Sequence, residues 1–416
     1  MTDLAGPRLE SRAVPLGEAF DLLAAYEPPF GVFFERRGQG VAGMGVPPLL
    51  FGAARPSPAW VMDLLRSSVR RGHDIAPVAI GAYRFRPNGT ASPELVIPRR
   101  TVRRDHRGTT WRLDSNAPGE EAGDRSPFEP VGGGAAHEPF ADMQLRGVPP
   151  GDDYRAAVAE AVARIRRGEL RKVVLARTIE VSAERELDPK LLAGRLRAVD
   201  PDAYTFAAPT GEGVLVGASP ELLVSRRGHE VRSNPLAGSA PRSGDPEEDR
   251  ANADALITSS KEREEHAIVV DAVAETLRPF CEELAWDPEP VLRETPNVWH
   301  LSTNFRGALR DPAPTALELV AALHPTPAVA GEPRETALAT IEELEPFDRG
   351  RYAGPVGWVD ADGDGEWAIA LRCAELRGNR AVLYAGAGIV ADSDPVRELD
   401  ETERKFRAFL DALRWG

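Results

Sequence analysis

Two pairs of acidic residues share one spacing, Glu262 with Glu265 and Glu398 with Glu401. On a helix, residues three apart lie on one face, so each pair projects two carboxylates in the same direction. Carboxylates gathered on facing helices suit a hard cation such as Mg²⁺, which takes oxygen ligands and keeps waters to share with an anionic substrate. Taken singly, such pairs are more often a solvated helix face. Lys172 opens an otherwise apolar segment, Lys172–Val181. It reads either as an edge lysine at a strand start or as an amine that burial turns into a base near neutral pH. Glu221 follows a Gly-Ala-Ser-Pro turn, as a general acid or as a carboxylate near a helix start. The stretches Pro235–Ser239 and Ala385–Gly388 would let backbone N–H groups approach an anionic ligand closely. The chain carries no GxxxxGK[ST] phosphate loop and no complete dinucleotide fingerprint, so ATP or NAD use is unsupported. His266, His300 and His324 lack a metal-ligand spacing, and no G-x-S-x-G elbow occurs.

These residues need elements to hold them. Tyr154, Val158, Val162 and Ile165 recur at helical spacing behind Asp152 or Asp153 as N-cap, and Gly168 ends that helix. Lys172–Val181 reads as a buried strand, with further strands at Gly213–Gly217 and His229–Arg232. A long helix is expected from about Glu248 to Leu284, striped by Val269, Val273 and Leu277, with a kink or end near Pro279. Trp358–Val359, Glu366–Leu376 and Ala381–Val390 read as three successive antiparallel strands, and Asp394-Pro395 opens a last helix to about Leu413. Upstream, Gly31–Glu35, Ala76–Phe85 and Glu94–Ile97 are mixed segments that read as strands and short helices. The stretch from Asn116 to Pro150 is rich in Pro, Gly and acid and reads as a linker or surface loop. The fold class is α/β or α+β with much antiparallel sheet.

With 416 residues, 42% hydrophobic and 28% charged, the chain suits one large globular unit or two ordinary ones. No apolar run approaches the ~20 residues of a membrane span, and the first twelve residues do not resemble a signal peptide. Two distant cysteines, Cys281 and Cys373, fit a reducing cytoplasm better than a disulfide framework. A net charge of −14 disfavours nucleic acid as a partner, since that binding relies on a basic surface. Arg99, Arg100, Arg103, Arg104 and Arg107 cluster without interleaved aromatics, as a solvated strand or turn would.

Taken in order, several segments resemble the chorismate-utilising enzymes. They are KVVLAR (Lys172–Arg177), GASPELL (Gly217–Leu223), PLAGSAPR (Pro235–Arg242), KEREEH (Lys261–His266), His300-Leu301, HPTPAVAG (His324–Gly331), YAGPVGW (Tyr352–Trp358), LRCAEL (Leu371–Leu376) and Ala385–Lys405. The resemblance covers roughly Tyr154 to the C-terminus. It implies an α+β fold, a large two-layered antiparallel sheet surrounded by helices, as one domain. Residues 1–115 would complete the sheet, 116–150 would link, and 151–416 would bind chorismate. It implies that Glu265 and Glu401 ligate Mg²⁺ directly, with Glu262 and Glu398 holding its waters or completing the coordination. It further implies that Tyr352, Arg372 and Lys405 hold the pyruvyl carboxylate, helped by backbone at Gly238, Ser239 and Gly386. His300 would orient the ring.

Within that family two positions choose the activity. Relatives that use ammonia resemble one another in having glutamine where this chain has Lys172, whereas those that add water have lysine; water needs a base and ammonia does not. Ala328 stands where salicylate synthases generally have threonine and isochorismate synthases alanine. The expected reaction is therefore that of an isochorismate synthase. Lys172 takes a proton from water attacking C2, and Glu221 protonates the departing 4-hydroxyl. For this, lysine must be neutral and glutamate protonated, through water exclusion and the lack of a close countercharge for either. The alternatives are a salicylate synthase, which goes on to eliminate pyruvate, an ammonia-using synthase with an amidotransferase partner, and a non-catalytic chorismate-binding module. No amidotransferase subunit is expected, and the chain is expected to act as a monomer. Isochorismate feeds menaquinone, catecholate siderophores and salicylate-type metabolites.

Overall fold

The computed structural model describes residues 9–16, 20–44, 58–86, 95–105, 107–116 and 143–414. Lys172–Ala183 is the longest strand, and ten of its twelve residues are buried. A strand so uniformly covered must satisfy its backbone with neighbours on both edges. It pairs antiparallel with Arg380–Ile389 on one side and with Met143–Val148 and the short Gly331–Glu332 on the other. Around it grows a sheet of 13 strands, faced by a second of 8 and supplemented by a third of 3. Pairing is antiparallel except where Glu10–Leu16 meets Val69–Arg70.

Alternation along the strands separates two cores. In Val214–Ser219, Leu215 joins the core between the two large sheets, with Phe34, Val224 and Trp367. Its neighbours Val214 and Val216 face the opposite way, onto Leu192, Leu196, Phe406 and Phe409 of the helices Pro189–Val199 and Pro395–Arg414. The result is the expected two-layered antiparallel α+β sandwich with helices outside. Upstream strands extend both layers: Val32–Arg36 pairs with Tyr204–Pro209 in one, and Val78–Ala82 with Pro355–Asp360 in the other.

Several local expectations change. The helix expected over 248–284 is two helices, Pro246–Thr258 and Ser260–Leu277, then a short 3₁₀ turn at Arg278–Phe280 and the strand Cys281–Trp286. Ser259 breaks the run because its side chain accepts from the Glu262 N–H and caps the second helix. Asp152 and Asp153 are not caps. They lie in the first turn of Gly151–Arg166, where their charge faces the positive helix end. The linker expected over 116–150 includes the strand Met143–Val148, whose pairing with Thr178–Ala183 overrides its loop-like composition; residues 117–142 lie outside the described residues. Of the arginine cluster, Arg100–Arg104 is a strand in which Arg100 pairs with Asp114, while Arg103 pairs with Asp360 and stacks on Trp358. Among the described residues, no helix is long and apolar enough to cross a membrane.

Candidate active site

The site forms where strands leave one sheet and join another. Val214–Ser219 belongs to the 13-stranded sheet and Leu222–Arg227 to the 8-stranded one. Pro220 cannot donate to a ladder, so pairing stops there and Glu221 is left at the crossing. The return crossing lies beside it, between Gly365–Ile369 and Cys373–Arg377. The two are stitched together: Ile369 N–H donates to the Glu221 carbonyl, and Ala218 N–H to that of Arg372, both at 3.2 Å. Glu366–Leu376, expected as one strand, is thus two strands in different sheets, and Arg372 turns the chain at φ +47°. A third departure carries the chain from Glu230–Asn234 into Leu236–Pro241, which pairs with Val298–Ser302. There the ladder shifts register between Ala237 and Ser239, with Gly238 at φ +77°. A side chain at 238 would be strained by that φ and would sit 3.1 Å from Glu262 Oε2.

These crossings open onto one cleft, of about 690 Å³ with its mouth included. Glu221, Gly238, Ser239, Glu265, His300, Ala328, Tyr352, Arg372, Gly386, Glu401 and Lys405 all line it. Lys172, Glu262 and Glu398 are not among the lining residues; Lys172 touches the lining residue Glu265, and Glu262 accepts from the Ser239 N–H. Val174, Pro220, Val329, Leu371 and Tyr384 also line it and drew no attention in the sequence, because nothing in an apolar residue's own type marks it as facing a ligand.

Glu221 is 3% exposed, and burial raises its pKa from 4.5 to about 8 against the opposing pull of the Leu236 backbone, Lys172 and Lys405. It is therefore protonated at neutral pH. Burial, followed by the Arg372 charge, lowers His300 to about 3, so the imidazole is neutral. Its Nδ1 lies 3.1 Å from the Gly238 carbonyl and its Nε2 3.0 Å from Arg372 Nη2. Since Arg372 can only donate, Nδ1 carries the proton and Nε2 accepts. His300 thus orients Arg372. Tyr352 stacks on Tyr384 with ring centres 5.1 Å apart.

The four acids come from two helices, as their spacing requires, and lysines interleave them. Lys261 sits 3.2 Å from Glu262 and 2.9 Å from Glu398. Lys405 contacts Glu401 at 2.6 Å and the Gly386 carbonyl at 2.8 Å. Lys172 Nζ lies 3.0 Å from Glu265 Oε1, without a hydrogen bond to any described residue. This corrects one expectation: Lys172 does have a close countercharge. The lysine opens its strand at the point where Glu265, reaching in from Ser260–Leu277, fills the space left by Gly388, whose Cβ would stand 2.0 Å from that carboxylate. Burial and then neighbouring carboxylates raise Glu398 and Glu262; at Glu401 burial also pushes upward, but Lys405, a hydrogen bond from Ser239 and the Lys261 charge together overcome it and lower the carboxyl. So much carboxylate in one place is stable only with cations among it. The donor set, oxygen alone, fits a hard divalent ion. In this arrangement, though, no three such side chains among the described residues converge as a ready cage. A divalent ion held by these acids would have to take over contacts that ammonium groups make here.

The chorismate binding enzyme family matches residues 135–414. Isochorismate synthase DhbC of Bacillus subtilis is 49% identical over 276 residues, 65% of this chain and 69% of that protein. Isochorismate synthase EntC of Escherichia coli K12 is 42% identical over 272 residues, 65% and 69% of the two chains. Among solved structures, MenF, the menaquinone-specific isochorismate synthase of Escherichia coli, superposes with a TM-score of 0.82 at 25% identity, over 98% of this chain and 95% of that one.

Proposed function

The chain belongs to the chorismate-binding enzyme family, and from that premise we propose that it is an isochorismate synthase, converting chorismate to isochorismate with Mg²⁺ as cofactor. The observation that carries the reading is Glu221: a carboxyl of pKa about 8 at a sheet crossing, within the electrostatic reach of Lys172. Adding water at C2 while expelling the 4-hydroxyl needs one group that gives a proton and another that takes one at the same pH.

In this reaction Arg372, fixed by His300, and Lys405 hold the substrate's pyruvyl carboxylate together with Tyr352, and the backbone at Gly238, Ser239 and Gly386 closes around it. Glu265 and Glu401 would hold Mg²⁺ directly, and Glu262 and Glu398 its waters. Bound there, the ion would supply charge stabilisation at the ring carboxylate. Lys172 acts in this reaction as a neutral amine, its own proton having gone to solvent, and takes a proton from the water attacking C2. Glu221 gives its proton to the 4-hydroxyl, which departs as water while the ring double bonds shift. One water enters, one leaves, and solvent resets both side chains. Ala328 leaves the wall without a hydroxyl, in keeping with a reaction that stops at isochorismate. Two buried thiols, Cys281 and Cys373, fit a cytoplasmic enzyme.

The test is product analysis by liquid chromatography after incubating purified protein with chorismate, with and without Mg²⁺. Isochorismate in the Mg²⁺ sample supports the reading. Salicylate would replace it with the pyruvate-eliminating activity, and an aminated product formed with ammonium salts would point to the ammonia-using one. Tight chorismate binding without any product would mean a non-catalytic module.

A further inference from the structure

A buried ion pair that touches neither the proposed metal acids nor the proton-transfer groups ties three walls of the cleft together. Glu345 and Arg349, one turn apart after the helix Arg334–Leu344, have side chains only 3% exposed each. The guanidinium donates to Glu345 twice, from Nε at 2.8 Å and Nη2 at 2.5 Å. Its remaining donors go to backbone carbonyls: Nη1 to Val329 at 2.7 Å and Nη2 to Val174 at 2.7 Å. Glu345 Oε1 in turn accepts the Ala176 N–H at 2.8 Å. The Arg349 carbonyl accepts the Tyr352 N–H at 2.9 Å, and the guanidinium lies over the Phe85 ring at 4.5 Å.

Val174, Val329 and Tyr352 all line the cleft. Val174 is two residues along the strand from Lys172, and Val329 follows Ala328. One planar fork therefore connects the strand carrying the amine, the turn carrying Ala328 and the loop carrying the tyrosine. A fork of this kind fixes direction as well as distance, which a lysine or an apolar side chain cannot do. The charge pairing itself adds little stability, because the desolvation of two buried charges roughly cancels their attraction; what the pair contributes is a fixed set of bonds to three backbone groups of the cleft wall. We propose that Arg349, braced by Glu345, is a positioning residue that holds the Lys172 strand, the Ala328 turn and Tyr352 in register for the reaction. The inference rests on the isochorismate synthase reading for its kinetic consequence only.

Two variants test it, Glu345→Leu with Arg349→Met together, which keeps volume and removes both charges, and Arg349→Lys, which keeps charge and removes the fork. Each is measured for urea unfolding, for kcat and KM on chorismate, and for amide hydrogen exchange. The double variant leaves the Val174 and Val329 carbonyls and the Ala176 N–H without their side-chain partners, so it should fold with a lower urea midpoint than the wild type. Its kcat should fall by about 30- to 100-fold, the scale of a misplacement near 1 Å, with KM moving less than about threefold. Arg349→Lys should lose kcat similarly, and in both variants exchange should quicken at residues 172–176 and 328–330 alone. A folded double variant with wild-type kcat and exchange would overturn the proposal, and so would failure of both variants to fold, which would make the pair a structural strut. If the wild-type protein makes no isochorismate, the functional reading falls while the exchange pattern still decides the positioning role.

Discussion

Glu221→Gln removes a titratable proton from a fully enclosed position and leaves an amide of the same shape. Burial moves this carboxyl from its ordinary 4.5 to about 8. Each tenfold change in proton affinity is worth 1.36 kcal/mol, so the whole displacement corresponds to about 4 to 5 kcal/mol between folded and unfolded chains. The sign follows from which state holds the proton. Below about pH 4.5 the carboxyl is neutral in both states, and wild type has its full stability relative to the glutamine variant. Between 4.5 and 8 the unfolded chain releases the proton and the folded one keeps it. Stability is therefore lost as pH rises, at about 1.4 kcal/mol per pH unit. Above about 8 both states are ionised and the loss levels off. Urea unfolding of both proteins without ligand at pH 5, 6, 7, 8 and 9 measures the gap between them, and every other titrating group cancels in the difference. The gap should shift steadily against wild type by on the order of 4 kcal/mol and flatten near pH 8. A gap constant to within about 0.5 kcal/mol across that range would refute the claim that position 221 holds a proton at neutral pH.

Three further outcomes follow from the same site. Lys172→Gln should lower isochorismate formation by about 10²- to 10⁴-fold, the range for one proton-transfer group, while equilibrium dialysis still shows chorismate bound; undiminished turnover would remove the base assignment. Glu401→Ala should abolish the response of activity to Mg²⁺ in titrations up to millimolar levels, and a titration curve that overlays the wild type would reject it as a ligand. The pH profile of kcat/KM should fall above about pH 8 as Glu221 loses its proton, and a profile level to pH 9.5 would mean that another group is the acid.

Much of this site was legible in the residues, for physical reasons. Acids three apart on helices had to share a face, and Lys261 bridges Glu262 of Ser260–Leu277 to Glu398 of Pro395–Arg414, while Glu265 and Glu401 line one cleft. The apolar run after Lys172 had to be a buried strand, and it is. What escaped was whatever depends on partners distant in sequence. Glu366–Leu376 is a largely apolar run, Trp367–Leu371 without a break, and such a run does not say which sheet a strand belongs to, so the crossing at Arg372 was invisible. The Lys172–Glu265 contact joins residues 93 positions apart by way of a glycine on a third element. The carbonyls that bury Arg349, those of Val329 and Val174, lie 20 and 175 positions away, so its residue type alone carried no signal. The helix break at Ser259 did leave a signal, since Ser259 and Glu262 have the spacing of a capping pair, but the apolar stripe beyond it suggested continuity.

The most direct measurement of the central claim follows the oxygen. Chorismate converted by the enzyme with Mg²⁺ in ¹⁸O-labelled water should give isochorismate carrying one heavy atom, at the C2 hydroxyl, because that oxygen comes from solvent and the C4 oxygen leaves. Isochorismate formed with no label would mean that the hydroxyl migrates within the substrate, and would contradict a mechanism built on Lys172 activating water.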